Sequence, residues 1–188
     1  MNKRIIATTL IILVTTASAA TAAGPLPQAL TQGKGYIGGN YTELTYDQDG
    51  MAKDPEPTVL VGRLGYFIID QVAVEGRLGF GLSDDTVQVD TNGSTKVEFE
   101  IDRLSGVYLL THLPISNGLS FYGLVGYTKA KITPRGYALS DTDSGLSYGF
   151  GAELHSSDQF GLNLEYTQYL DEKGYDLSGI SLGAKIYF

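Results

Sequence analysis

The sequence has no cysteine, 6 prolines and 2 methionines among its 188 residues, and it has no long hydrophobic run. Without cysteine, disulfides cannot hold the fold, and acylation at a lipoprotein cysteine is excluded. The main apolar stretch, Ile5 to Val14, is far shorter than the roughly 20 residues of a membrane-spanning helix. These absences argue against both a disulfide-stapled scaffold and a helical membrane anchor.

Positive charge is also scarce. Lys and Arg number 13 against 21 Asp and Glu, which gives a formal net charge of -8. Because nucleic-acid binding depends on a basic surface, this balance argues against a nucleic-acid partner.

The first residues have the order of a secretory signal peptide. Lys3 and Arg4 precede the apolar stretch, and small residues follow it. This order predicts a cleaved signal peptide over residues 1–23, with the mature start between Ala20 and Gly24. Its removal takes two positive charges and changes the net charge from -8 to -10.

What the chain does contain is typical of β-structure: 24 glycines and 13 tyrosines. Subtracting the 23 predicted signal residues from 188 leaves 165, the size of one domain. At about 9–11 residues per membrane-spanning strand, this length suits eight strands and is too short for sixteen.

Eight segments alternate apolar and polar residues with the period of two that marks a strand with two different faces. The predicted spans are 35–46, 57–67, 72–82, 96–112, 119–132, 145–155, 160–170 and 177–188. In the last segment the apolar residues stand at every second position: Ile180, Leu182, Ala184, Ile186 and Phe188.

The connections between these segments alternate between short and long. Short ones lie near 69–71, 114–118 and 156–159, and the others are mostly longer and more polar. Tight turns at one end and longer loops at the other are typical of a membrane barrel. We therefore predict an all-β fold, an eight-stranded antiparallel up-and-down transmembrane β-barrel over 35–188. Residues 24–34 are then a short periplasmic segment, and both termini are periplasmic.

The few charges in the strand centres fall on the face opposite the apolar one. In the third segment, for example, Glu75 and Arg77 oppose Val74 and Leu78. A soluble barrel or sandwich would carry many Lys and Glu on its polar face, whereas here that face is mostly small residues, which suit a narrow lumen. The charged residues predicted to line the lumen are Arg63, Glu75, Arg77, Glu153, Glu165 and Lys185.

Aromatic residues near the strand ends predict girdles at the two membrane interfaces. They are Tyr41, Tyr46, Phe67, Tyr127, Tyr169 and Phe188. The fourth segment breaks the alternation, because its apolar residues change from odd to even positions near Asp102. A β-bulge there, or an upper half of the strand that stands clear of the bilayer, would each account for the change.

Several motifs together resemble the eight-stranded outer membrane protein β-barrel domain family, which includes the transmembrane domain of outer membrane protein A and the X-type adhesion barrels. They are Gly35–Tyr41, Leu64–Phe67, Val74–Gly76, Tyr148–Glu153, Leu164–Tyr166 and the ending Ile186–Phe188. The resemblance implies a bacterial outer-membrane location, with membrane lipid and lipopolysaccharide as surroundings. It also implies that the alternating C-terminal residues named above are the signal read by the barrel assembly machinery. A monomer is expected.

Charges in a narrow lumen must pair, because an unpaired buried charge is very costly. The predicted lumen residues are therefore interpreted first as a salt-bridge plug and second as the lining of a small gated pore. His155, Ser156 and Ser157, with Glu153 nearby, could suggest a lipid A-modifying hydrolase. They fall at the periplasmic end, away from outer-leaflet lipid A, and are interpreted as turn residues, as is His112. No enzyme activity, catalytic residue, cofactor or metal site is expected.

The acidic long loops are the candidate interaction surface, because functional residues concentrate on loops held by a rigid scaffold. They are interpreted either as solvated loops, which repel neighbouring lipopolysaccharide or bridge to it through divalent cations, or as a site for an extracellular ligand. A structural or surface-interaction role is predicted, followed by a narrow channel and then by a lipid A-modifying enzyme. The loop residues concerned are Asp47, Asp49, Asp54, Glu56, Asp84, Asp85, Asp90, Asp141, Asp143, Asp171 and Glu172.

Overall fold

The computed structural model describes residues 28–48, 57–83, 85–88, 96–116, 118–135, 141–172 and 175–188. A short 3-10 helix, Gln28–Leu30, precedes the strands. The strands are β1 Gly35–Gln48, β2 Thr58–Ile69, β3 Val72–Ser83, β4 Asp85–Gln88, β5 Lys96–Ser116, β6 Leu119–Arg135, β7 Asp141–Ser157, β8 Phe160–Glu172 and β9 Tyr175–Tyr187.

No helix in the described part of the chain is long and apolar enough to cross a membrane.

The strands form one closed antiparallel sheet. Strands that follow one another in the chain pair with each other, except that β3 pairs with β5 and not with β4, and β9 pairs with β1. The short β4 pairs with the outer end of β5 and continues β3 along the same edge, so the wall has eight strands. The predicted eight-stranded up-and-down barrel is confirmed. Closure leaves no free sheet edge, which is what a lipid environment requires of a β-structure.

At the end of the barrel that carries the long connections, the strands extend further than predicted. β6 reaches Arg135 and β7 begins at Asp141, where the sequence suggested a loop from 133 to 144. The sequence there is mostly polar, so the alternation fades although the ladder of backbone hydrogen bonds continues. At the other end the turns are tight. Asp70 and Gln71 join β2 to β3, and Gln71 has a left-handed φ of 68°.

β5 contains the irregularity that the sequence indicated. Its register against β6 shifts between Ile101 and Arg103, so a bulge lies at the position where the alternation changes. Beyond the bulge both faces of β5 are apolar, which explains why its pattern was difficult to interpret. The outward residues are Val107, Leu109 and Leu113, and the inward ones are Leu104, Tyr108 and Leu110.

In the middle of the other strands the predicted faces are correct: apolar side chains point outward and the six predicted lumen charges point inward. Leu64 on β2, Leu78 on β3 and Leu182 on β9 are each more than half exposed on the outer surface. The girdle prediction is wrong for Phe67 and Tyr169, which are buried inside the barrel. Their places in the register put them on the inner face, and proximity to a strand end does not decide which face a residue occupies.

The segment before β1 covers the short-turn end of the barrel. Ala29 and Leu30 are buried in one cluster with lumen residues such as Phe67 and Leu110. The amide of Gln71 donates a hydrogen bond to the carbonyl oxygen of Leu30 at 2.8 Å. The part of the predicted periplasmic segment that the structure describes is thus packed onto the barrel mouth.

Candidate functional site: the charged interior of the barrel

Four charged side chains from three strands meet across the lumen. Arg63 of β2 lies 2.9 Å from Glu75 of β3 and 3.2 Å from Glu165 of β8. Arg77 of β3 lies 2.6 Å from Glu75 and 2.5 Å from Glu165. Each arginine therefore contacts both carboxylates, and each carboxylate contacts both arginines. We call these four residues the central ring.

Neutral side chains surround the central ring and use its remaining bonding capacity. The hydroxyls of Tyr36, Tyr122 and Thr167 donate to its carboxylates at 2.5, 2.9 and 2.8 Å. Arg63 donates to the side-chain oxygen of Asn40 at 3.2 Å, and the Arg77 guanidinium carbon lies 4.4 Å from the centre of the Tyr108 ring. The two positive charges balance the two negative ones, so the ring is neutral and hydrogen-bonded, which offsets the cost of desolvating its charges.

Inward-facing glycines make room for the tyrosines that reach the ring. A Cβ at Gly65 would come within 2.1 Å of the Tyr36 ring, and one at Gly151 within 2.5 Å of the Tyr122 ring. Each tyrosine therefore lies across a glycine on the inner wall. These two glycines of the polar face therefore do more than occupy little space, since an aromatic ring packs directly against each of them.

A second cluster lies nearer the short turns. Lys185 of β9 donates to Glu153 of β7 at 2.6 Å, and the Tyr187 hydroxyl donates to the same carboxylate. Nitrogen atoms of His112 and His155 each lie 3.8 Å from it, which is beyond hydrogen-bond distance. We call these five residues the lower cluster.

The interpretation of His112 and His155 as turn residues is wrong, since both are buried and point into the lumen. Ser156 and Ser157 are exposed, so neither is paired with His155. The histidine instead contacts Ser120 of β6, with 3.2 Å between the Ser120 hydroxyl and Nε2. Ser120 is fully buried, and the third group, Glu153, is too far from the imidazole to orient it. The arrangement lacks the accessible nucleophile and aligned base of a serine hydrolase.

Two further layers complete the interior. Toward the long connections an apolar group is buried inside the barrel, made of Leu44, Val59, Val61, Leu104, Ala130, Tyr169, Leu170 and Leu177. Between it and the central ring, a chain of hydroxyls joins Tyr108 to Thr128 and Thr128 to Ser147, at 2.5 Å each. Within the described residues, no group of three or more His, Cys, Asp or Glu side chains is placed to hold a metal ion.

The structure thus brings all six predicted lumen charges inside the barrel, four in the central ring and two in the lower cluster. Sequence reasoning missed the tyrosines that bond to them, Tyr36, Tyr122 and Tyr187, because aromatic residues were assigned to the membrane face. Their positions in the sequence indicated the inner face. Tyr36, Tyr122 and Tyr187 are each directly adjacent to a residue that faces outward, namely Ile37, Phe121 and Ile186.

The C-terminal residues named as an assembly signal lie on the outer face of β9, with Phe188 directly following the strand. Ile180, Leu182, Ile186 and Phe188 are exposed there, and Ala184 is half-buried. β9 pairs with both β1 and β8, so this strand closes the barrel.

Six of the acidic loop candidates lie in strands rather than in the connections: Asp47, Asp85, Asp141, Asp143, Asp171 and Glu172. Asp143, opposite Ala130, is half-buried. The remaining candidates lie outside the described residues: Asp49, Asp54, Glu56, Asp84 and Asp90. The predicted loops were too long because the strands run on into polar sequence.

A closed eight-stranded barrel with an apolar exterior and a paired, charged interior is the architecture of bacterial outer-membrane proteins. The chain belongs to the outer membrane protein β-barrel domain family, whose profile matches residues 9–188. No curated protein matches the chain significantly.

Solved structures share this fold at low sequence identity. The attachment invasion locus protein Ail of Yersinia pestis is 20% identical, with a TM-score of 0.59 over 84% of this chain and 100% of Ail. OprG of Pseudomonas aeruginosa is 13% identical, with a TM-score of 0.64 over 86% of this chain and 98% of OprG. Neisserial surface protein A is 11% identical, with a TM-score of 0.58 over 84% of this chain and all of that protein. At these identities the likeness concerns the fold alone.

Proposed function

We propose that this protein is an outer-membrane scaffold whose interior is closed by its own side chains and whose role lies at the cell surface. The observation that carries the proposal is the central ring. Arg63, Glu75, Arg77 and Glu165 join across the lumen, and all four side chains are at most 1% exposed. A barrel of eight strands is just wide enough for side chains to fill it.

Two further contacts support a closed interior. Above the ring, the apolar group that includes Leu44 and Leu177 is fully buried. Below it, Leu30 covers the short-turn mouth with 0% exposure. An ion crossing the barrel would have to displace the apolar layer, separate the ion pairs of the ring and move Leu30.

Conductance in planar lipid bilayers tests the closed interior. The wild type is expected to show no stable channel. The variant Arg77→Ser/Glu165→Ser removes one cation and one anion together, so it leaves no unbalanced charge, and it is expected to open a narrow, steady conductance. Gly123→Ser, on the outer face of β6, is the matched control and should remain silent. A stable wild-type conductance would instead support the narrow channel.

The surface role is proposed from charge. The upper strand ends and the connections between them carry most of the carboxylates of a chain with net charge -8. Such a surface suits a cationic partner or divalent-cation bridges to neighbouring lipopolysaccharide. Ail has been crystallised with a polyanion, the heparin analogue sucrose octasulfate. An acidic surface is poorly suited to that kind of ligand, so we propose that the two barrels differ in partner.

Attachment of cells that produce the protein to a polylysine-coated surface tests this role. Changing Asp47, Asp49, Asp54 and Glu56 to Asn or Gln is expected to reduce attachment, and the loss should be greatest at low salt. Changing Asp70 and Asp158 at the short turns to Asn is the control. Equal attachment by both variants would mean that the loop carboxylates are only solvated.

A further inference from the structure

Three cations stand side by side on the outer surface of the β5–β6 wall. Arg103 is directly opposite Lys131, and Lys129 lies opposite Ser105 in the same pair of strands. All three side chains are exposed. The structure describes four exposed Lys or Arg side chains in all, and the fourth, Lys34, lies at the other end of the barrel. In an acidic chain, this concentration of positive charge is the exception.

The arrangement is one that an anion would stabilise. Like charges at directly opposite positions on neighbouring strands repel each other. The guanidinium carbon of Arg103 lies 5.9 Å from the centre of the Phe80 ring, which holds the charged group beside the barrel wall. A multiply charged anion between Arg103 and Lys131 would replace repulsion by two attractive contacts.

An apolar groove of about 740 Å³ lies beside these cations on the outer surface and extends from β1 to β6. Its floor includes Gly62 and Gly76, where an added Cβ would meet nothing closer than 3.7 and 4.0 Å. The side chains that form it are Ile37, Leu64, Leu78, Val107, Tyr127 and Lys129. Lys129 belongs to both features, so the groove and the cation cluster are continuous.

The register places both features at defined depths in the membrane. Val107 lies opposite Tyr127, the next outward pair contains Lys129, and the pair beyond it contains Arg103 and Lys131. The cations therefore lie just past the apolar band, on the side of the long connections. Because short turns face the periplasm in this architecture, that side is the outer leaflet.

The described part of the opposite wall, formed by β9 and β1, does not repeat the pattern. There the outward residues at the edge of the apolar band include Glu43 of β1, beside Tyr41, Ile180 and Leu182. Asp176 of β9 is also exposed near this end. Among the side chains that the structure describes, the cation cluster is thus confined to one side of the barrel.

We propose that Arg103, Lys129 and Lys131 bind the phosphate groups of a phosphorylated outer-leaflet glycolipid, the lipid A part of lipopolysaccharide, and that one of its acyl chains occupies the groove. This proposal specifies which lipid the outer wall of the barrel contacts in the outer membrane. It does not depend on whether the lumen is closed. Three cations match a glycolipid with more than one phosphate better than a phospholipid with a single negative charge. A free phosphate would make no use of the adjoining groove.

Native mass spectrometry of the folded, detergent-solubilised protein with bis-phosphorylated lipid A tests the proposal. The variant Arg103→Gln/Lys129→Gln/Lys131→Gln is expected to bind lipid A about a hundredfold more weakly, since each cation near a lipid surface contributes about fivefold. Lys34→Gln, which removes an equally exposed cation at the other end, should bind like the wild type. Lipid A without phosphates should bind the wild type and the triple variant equally weakly.

A second pair of variants tests the groove separately from the charges. Gly62→Leu/Gly76→Leu fills the floor and is expected to weaken lipid A binding about tenfold, because the acyl chain loses its place. Gly123→Leu adds the same bulk on the outer face of β6, where the glycine also has open space around it but lies outside the groove. This control should change nothing.

Unchanged lipid A binding by the folded triple variant would overturn the proposal. It would also be overturned if phosphatidylglycerol bound as tightly as lipid A, since the wall would then be a general anionic surface. Displacement of lipid A by equimolar inorganic pyrophosphate would point to a free-anion site instead. The mobility shift between unboiled and boiled samples verifies that each variant is folded. Because all these residues face outward, failure here would leave the closed lumen untouched.

Discussion

The central ring and the lower cluster are both buried charge networks, but they satisfy their charges differently. In the ring, Arg63 and Arg77 face Glu75 and Glu165, and every member contacts two of opposite sign. In the lower cluster, the Glu153 carboxylate bonds to Lys185 and Tyr187, and a ring nitrogen of each histidine lies 3.8 Å from a Glu153 oxygen. Neither ring nitrogen of His112 has a hydrogen-bond partner among the described residues.

The difference lies in what each network can do when it is disturbed. Arginine stays charged under all ordinary conditions, so a ring that loses one carboxylate retains two buried positive charges against a single negative one. Lysine can give up its proton when it is desolvated, so the lower cluster has a way to become neutral. We infer that the ring holds β2, β3 and β8 in register, whereas the lower cluster tolerates change.

The largest expected effect comes from Glu165→Ala. It removes one of the two carboxylates that Arg63 and Arg77 share and should lower the free energy of unfolding by about 3–5 kcal/mol. Urea unfolding in lipid vesicles measures it. Glu43→Ala, which removes an exposed carboxylate from β1, should change stability by less than about 0.5 kcal/mol. Equal stability of the two variants would mean that the ring is not structural.

Glu153→Gln is expected to cost less, about 2–3 kcal/mol, because Lys185 keeps an amide partner and can lose its proton. The double variant Glu153→Gln/Lys185→Met should recover part of the loss, since it removes the stranded cation as well. The same urea titration measures both. A cost as large as that of Glu165→Ala would erase the distinction between the two networks.

Tyr122→Phe should have the smallest effect, about 1 kcal/mol, because Glu165 loses one hydroxyl donor but keeps both arginines. Tyr166→Phe is the matched control. Its hydroxyl donates to Gln168 at 3.2 Å on the exposed outer face, and its loss should be undetectable. A Tyr122→Phe effect as small as that of the control would show that the 2.9 Å contact with Glu165 contributes nothing.

Alternation predicted the fold well because a membrane barrel imposes a strict period of two on each strand. It failed on β5, where Leu104 and Leu110 inside and Val107 and Leu109 outside make both faces apolar. His112 and His155 were assigned to turns because both stand close to turns in the sequence. The alternation itself indicates the inner face, since His155 stands two residues after Glu153 and His112 two residues after Leu110.

From the sequence alone the strand count, the outward faces of the strands other than β5 and the six lumen charges could be predicted, because these depend on spacing along a single strand. The tertiary structure decided which charges meet. Arg77 and Glu165 are 88 residues apart in the chain and 2.5 Å apart in the barrel. It also decided that Arg103 and Lys131 would stand together and that Leu30 would cover the mouth. Each of these contacts depends on how strands pair around a closed sheet, and the period of one strand carries no information about its neighbour's register.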